Sequence, residues 1–247
     1  MRFAIFADLH ANREAMEVCL AHARDHGAER YVFLGDLVGY GADPCWTVDT
    51  VMAHAARGAI VLMGNHDSAV ANEGPNDMHA EANRIIEWTR AQLNAEQAEF
   101  LRRLPLSVCE GDCLFVHATA EAPESWDYIF DAVQAARSLY ATSAGVTFCG
   151  HVHEPALYNI SPTGMVSTFT PVGDSNMPLS AARRWLAIPG SVGQPRDGNP
   201  AACYAMYDSV ERELAFFRLP YDCESAAHKI IMAGLPVRMG QRLLIGI

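Results

Sequence analysis

The chain has no apolar run near the roughly 20 residues that a membrane-spanning helix needs. Its opening segment, Met1 to Asp8, reaches an acidic residue too soon for a signal peptide and offers no small-residue cleavage site. A cytoplasmic protein is therefore expected. Positive charge is scarce: 18 Lys and Arg stand against 29 Asp and Glu, a formal net charge of −11. Extended nucleic acid is a poor partner for that balance, because non-specific binding to a polyanion needs clustered cations. A small phosphorylated substrate stays open, since bound cations reverse the local sign of the field. The seven cysteines are odd in number and contain no Cys-x-x-Cys pair, so a disulfide framework is not expected. Cys19, Cys109, Cys149 and Cys203 read instead as small buried hydrophobes. Repeats, low-complexity segments and linkers are missing too, and one domain over 1–247 is the simplest organisation.

Half of the 247 residues are hydrophobic and 19 % are charged, the composition of a packed globular chain. The first 150 residues alternate between strands and helices. Strands are expected at Phe3–Ala7, Arg30–Leu34 and Ala59–Met63, with helices over Asn12–His26 and from Pro44 to about Ala56. A helical stretch follows over about His79–Leu104, interrupted at Asn94 by a fresh capping residue. A hairpin forms around Glu110-Gly111-Asp112, then a helix over 131–141 and a strand at Val146–Cys149. After Gly150 the pattern becomes antiparallel strands, with a hairpin turn at Ser161–Gly164, and two short helices close the chain. Alternating βα units feeding antiparallel strands fit two sheets packed face to face with helices outside, an α/β (α+β) fold.

Five short segments concentrate metal-ligand residue types, each at the end of an expected strand: Asp8-Leu9-His10, Gly35-Asp36, Gly64-Asn65-His66-Asp67, His117, and Gly150-His151-Val152-His153. Side chains two apart on extended chain face one side, so Asp8 and His10 can reach one ion. Strand ends are where α/β sheets build their sites. Glycine before Asp36, Asn65 and His151 suits sharp turns into a crowded site. Each segment alone is weak, since an Asp at a strand-to-helix junction usually caps a helix. All five in this order favour a metal site.

In that order of motifs, over residues 8–153, the chain resembles the calcineurin-like metallophosphoesterase superfamily, and the segment Pro189–Gly198 has a familiar form as well. The resemblance implies a four-layer αββα sandwich of two mixed β-sheets flanked by helices. It implies one divalent ion held by Asp8, His10, Asp36 and His153, and a second by Asp36, Asn65, His117 and His151, with Asp36 bridging. Carboxylate, amide oxygen and imidazole suit Mn, Fe, Zn, Co or Ni, manganese among them, better than calcium. Two such ions would produce a bridging hydroxide near neutral pH and stabilise an in-line displacement at phosphorus. By the same analogy His66 would protonate the leaving oxygen or stabilise the transition state, with Asp67 orienting its ring. Asn12 either touches substrate phosphate or N-caps the first helix. Arg196 either clamps phosphate or pairs with Asp197 or a neighbour on the surface.

Departures narrow the class. The protein serine/threonine phosphatases carry GDxxDRG where this chain has Gly35-Asp-Leu-Val-Gly-Tyr-Gly41, and purple acid phosphatases place a Tyr where Gly39 stands. The remaining match is to small bacterial phosphodiesterases and phosphatases. Hydrolysis of a phosphodiester or phosphomonoester, from a small molecule or nucleotide, is expected; a nuclease, or a binding protein that keeps the fold without turnover, is the alternative. Residues 118–145 and 161–188 are expected to shape the pocket mouth. His22, His26, His54, His79 and His228 read as solvated, and the tryptophans as core or pocket wall.

Overall fold

The computed structural model describes residues 1–72, 80–171, 173 and 175–247. His79, both as the start of a helix and as a solvated residue, lies outside the described residues. The first sheet is built around β1 (Arg2–Phe6), β2 (Arg30–Phe33) and β3 (Ile60–Val61), and the second contains β4 (Ser107–Glu110), β5 (Cys113–Val116) and β6 (Val146–Phe148). The later strands are β7 (Pro155–Ile160), β8 (Val166–Phe169), β9 (Met177–Pro178), β10 (Arg184–Pro189), β11 (Ala202–Asp208) and β12 (Glu213–Leu219). Strand order is β3-β2-β1-β11-β12-β9 in one sheet and β4-β5-β6-β10-β7-β8 in the other.

The helices are α1 (Arg13–Asp25), α2 (Pro44–Ala55), α3 (Asn65–Ala71), α4 (Ala80–Gln92), α5 (Ala95–Arg102), α6 (Ala132–Tyr140), α7 (Cys223–Met232) and α8 (Val237–Ile245). Their boundaries follow local chemistry. Asn12 caps α1 by accepting from the Ala15 N–H, and Pro44 opens α2. Asn94 and Gln97 form a reciprocal capping box that restarts the chain as α5. Because side chains alternate along a strand, Phe3, Ile5 and Ala7 face the second sheet while Ala4 and Phe6 face the helices. Phe6 stacks on Phe33 at 5.4 Å and on Tyr204 at 5.0 Å beside Met16 and Cys19 of α1. Phe115, Phe148 and Trp185 fill the layer between the sheets, and Ala135 and Leu139 of α6 cover the outer face of the second. The result is helix, sheet, sheet, helix, with two mixed sheets.

Strand direction places the site. β1, β2 and β3 run parallel to one another, as do β5, β6 and β10, so within each sheet their C-terminal ends reach a common rim. The short helix α3, which begins within the Gly64–Asp67 motif, was not expected from the sequence, and neither was the two-residue β9. Cys109 is exposed rather than buried, because β4 lies at a sheet edge. His22 and His54 are half-buried rather than simply solvated: His22 Nδ1 lies 2.6 Å from the Tyr204 hydroxyl, and His54 packs on Tyr31 at 4.7 Å. The Ser161–Gly164 turn also falls away from the expected place. Ile160 pairs with Arg184 at the start of β10, the end opposite the rim.

Close backbone approach requires glycine just past β10. Gly193, just past β10, packs so tightly on the β1 loop that a Cβ there would land on the Leu9 carbonyl oxygen. Gly193→Ala is expected to cost about 1–3 kcal/mol, the usual penalty of overpacking, read as a lowered urea midpoint with an unchanged slope. An unchanged midpoint would show that this contact is not tight.

Candidate metal centre

Six loops meet at the rim. Asp8 and His10 follow β1, Asp36 follows β2, Asn65 opens α3 after β3, His117 follows β5, His151 and His153 follow β6, and Gln194 and Arg196 follow β10. Five of these residues take the left-handed backbone that non-glycine residues seldom adopt: Asp8 (φ 55°), His10 (45°), Asp36 (51°), His151 (67°) and His153 (66°). Each such position costs on the order of 1–3 kcal/mol, and survives only where the surroundings over-determine it. They do so here. The Asp8 N–H donates to Gly35 O and the His10 N–H to Asp36 O, while Asp8 O accepts from Gly193 N–H and the Ser191 hydroxyl. Gly64 has no side chain because a Cβ would land on the Asp36 amide and carboxylate.

The polar atoms converge in two groups that share Asp36: Asp8, His10, Asp36 and His153 in one, and Asp36, His117 and His151 in the other, with donor atoms within 4.8 Å of one another in each group. Asp36 Oδ2 lies 3.6 Å from His10 Nε2, and its Oδ1 lies 3.6 Å from His117 Nε2. Asn65 Oδ1 joins the second group, 3.2 Å from His117 Nε2. The carboxylates are buried to within 1 % and the four imidazoles to within 4 %.

Three imidazoles are turned the same way by the backbone. Nδ1 of His10, His117 and His153 faces the carbonyl oxygens of Val38, Leu34 and Gln194 at 3.2, 2.8 and 2.7 Å. A carbonyl only accepts, so each Nδ1 carries the proton and each Nε2 of a neutral ring presents a lone pair. Those lone pairs point into the shared site. His10 Nε2 and His153 Nε2 stand 3.1 Å apart, and His117 Nε2 stands 3.2 Å from His151 Nδ1. The rings do not take up protons to relieve that crowding. Burial holds the His10 and His153 rings well below the usual imidazole range and pushes His117 down to about 4. Burial raises Asp36 to about 7, and burial with the neighbouring Asp36 charge raises Asp8 well above the carboxylate range. Converging, desolvated imidazole lone pairs beside two buried carboxyl groups fit a bound cation. The all-N,O donor set suits the first-row divalent metals.

Around these groups the other candidates take different places. His66 is buried beside His10 (ring centroids 5.0 Å) and Tyr40 (4.5 Å), and its Nδ1 has no hydrogen-bond partner. Asp67 does not orient that ring. Its carboxylate accepts from the Leu37, Val38 and Gly64 N–H groups, tying the Asp36 loop to the start of α3. Asn12 is committed on both sides: Oδ1 caps α1, and Nδ2 donates to Gly193 O and the Tyr221 hydroxyl. That favours its capping role over contact with substrate. Arg196 is not paired with Asp197, which bonds Arg218 instead. Its guanidinium donates to Gln194 Oε1 and lies 5.8 Å over the Tyr40 ring. Its charge reaches Asp8, Asp36 and His66.

Sequence reasoning missed Gln194, whose carbonyl turns His153 while its side chain braces Arg196. It also missed Tyr40, Tyr128 and Arg242, a half-buried cation of α8 close enough to Arg196 to feel its charge. The segment Pro189–Gly198 was the signal for Gln194; nothing in the spacing marked the tyrosines. Trp126 lies edge-on to His117, 5.8 Å between ring centroids.

Comparison with known proteins gives a consistent picture. A family model described as the calcineurin-like phosphoesterase superfamily domain matches residues 1–212. An uncharacterised protein of Methanocaldococcus jannaschii is 31 % identical over 249 residues, covering 98 % of this chain and 97 % of the relative. The crystal structure of a metallophosphoesterase from Sphaerobacter thermophilus superposes with a TM-score of 0.88 at 33 % identity, covering 100 % of this chain and 99 % of that one. A hypothetical protein from Pyrococcus horikoshii shares the fold, with a TM-score of 0.78 at 18 % identity over 100 % of this chain and 98 % of its own. No helix among the described residues is long and apolar enough to cross a membrane. With its buried Asp and His groups in place, the chain belongs to the calcineurin-like phosphoesterase superfamily and is a metal-dependent hydrolase of phosphoric esters.

Proposed function

We propose that the protein hydrolyses a small phosphodiester or phosphomonoester at a centre of two divalent metals bridged by Asp36. The observation that carries this reading is the division of labour at Asp36, whose two oxygens each face a different histidine group at 3.6 Å. Asp8, His10, Asp36 and His153 would hold one ion, and Asp36, Asn65, His117 and His151 the other. When bound, such a pair supplies Lewis acidity to the phosphoryl group and makes water a nucleophile near neutral pH.

The chain's own residues do the rest. His66 lies beside His10, with its Nδ1 buried against Gly39, and its ring is close enough to the site to donate a hydrogen bond to an oxygen of the ester. Arg196 has no carboxylate partner among the described residues, and Gln194 and Tyr40 hold its planar fork over the site. That arrangement suits phosphoryl oxygens. Asp67 acts through the backbone it ties. Burial keeps bulk water from competing for these contacts.

Protein loaded with Mn²⁺ is expected to cleave mono- or bis-p-nitrophenyl phosphate, and a chelator to abolish the activity until metal is restored. Metal-loaded protein that turns over neither ester would favour a binding protein that has kept the fold. His66→Ala is expected to lower kcat by about 10²–10⁴-fold at unchanged metal content, measured by elemental analysis of the same sample. Loss of metal in that variant would make His66 a ligand instead. Arg196→Ala is expected to raise KM by about 10-fold or more, the scale of a hydrogen bond to a charged group. An unchanged KM would return Arg196 to a surface role.

A further inference from the structure

The loop between β5 and α6 carries Trp126, Tyr128 and Phe130 at alternate positions. Ile129, between the last two, is buried at 2 % exposure in the apolar layer beneath α6 and pins the segment there. The rings of Tyr128 and Phe130 are parallel, 5.0 Å apart with 10° between planes. Tyr128 also stacks on the imidazole of His151 at 4.0 Å and 20°. Trp126 meets His117 edge-on. An aromatic strip thus starts at two histidines of the centre and runs outward to solvent. Its outer part is open: Tyr128 is 40 % exposed and Phe130 62 %. Folding alone gains little from an exposed Phe, since the buried Ile129 already anchors the loop.

Resting on the phosphoesterase reading, we propose that this strip seats the planar ring of the substrate, and that the substrate is a nucleoside phosphodiester whose base stacks on the open face of Phe130, the outer end of the His151–Tyr128–Phe130 stack, while its phosphate lies at the metal centre. Stacking asks for no particular base, because every base offers a π-face. Continuity with His151 argues for a small ligand reaching in from the strip rather than for a separate docking surface. The net charge of −11 argues against a long polynucleotide, which would need a cationic track.

Phe130 touches none of the proposed ligands, so its variants test the strip alone. For Phe130→Ala with Mn²⁺, KM for a dinucleoside monophosphate is expected to rise about 5- to 100-fold with kcat nearly unchanged. The kcat/KM for an aliphatic diester, glycerophosphoethanolamine, is expected to stay as in the wild type, and Phe130→Trp to restore the nucleotide KM. Equilibrium dialysis of adenosine 5′-monophosphate against the metal-loaded proteins is expected to show the same loss and rescue without turnover. Equal effects on both esters, or no effect on either KM, would overturn the proposal. So would a change of oligomeric state in Phe130→Ala with nucleotide KM unchanged, since the strip would then be a subunit contact. If wild type cleaves no ester at all, the phosphoesterase reading fails, and the dialysis still decides whether Phe130 holds a base.

Discussion

The structure depends on one electrostatic constraint: lone pairs of carboxyl groups, imidazoles and an amide are driven together in a desolvated rim. Desolvation by the surrounding core makes each group resist charge of its own. Asp36 rises to about 7 while His117 falls to about 4, so acid and base move toward neutrality from both sides. Metal binding would displace the carboxyl protons and let the carboxylates carry their charge against the cation, and the rest of the architecture holds the groups in place for it.

That holding is done mostly by backbone. Five residues in left-handed conformation aim Asp8, His10, Asp36, His151 and His153 inward, and main-chain bonds between the β1, β2 and β10 loops keep them there. Three carbonyl oxygens set the tautomers of His10, His117 and His153. Asp67, although buried and acidic, serves the same end, because its oxygens accept three backbone N–H groups on both sides of Asp36. The local strain is offset by two sheets whose parallel strands end at the rim and whose interleaved aromatic layer resists relaxation.

Much of this was legible in the sequence, for identifiable reasons. Apolar runs ending in Asp, His or Gly-Asn-His marked strands whose C-terminal ends carry polar groups. The capping residues Asn12 and Asn94 marked helix starts by local chemistry alone. What stayed hidden depends on tertiary contacts. Asp67 was expected to orient His66 by family resemblance, yet its carboxylate is taken up by the backbone N–H groups of Leu37, Val38 and Gly64. The exposure of Cys109 follows from β4 being a sheet edge, which pairing decides and composition does not. Tyr40 and Tyr128 gave no spacing signal, since loops bring them to the site and no periodicity governs loops.

The most direct test of the account is anomalous diffraction from crystals of the metal-loaded protein, with data on both sides of the absorption edge of the bound element. Two peaks flanking Asp36, one beside His10 and His153 and the other beside His117 and His151, are the predicted result. A single peak away from Asp36, or none at full metal loading, would contradict it.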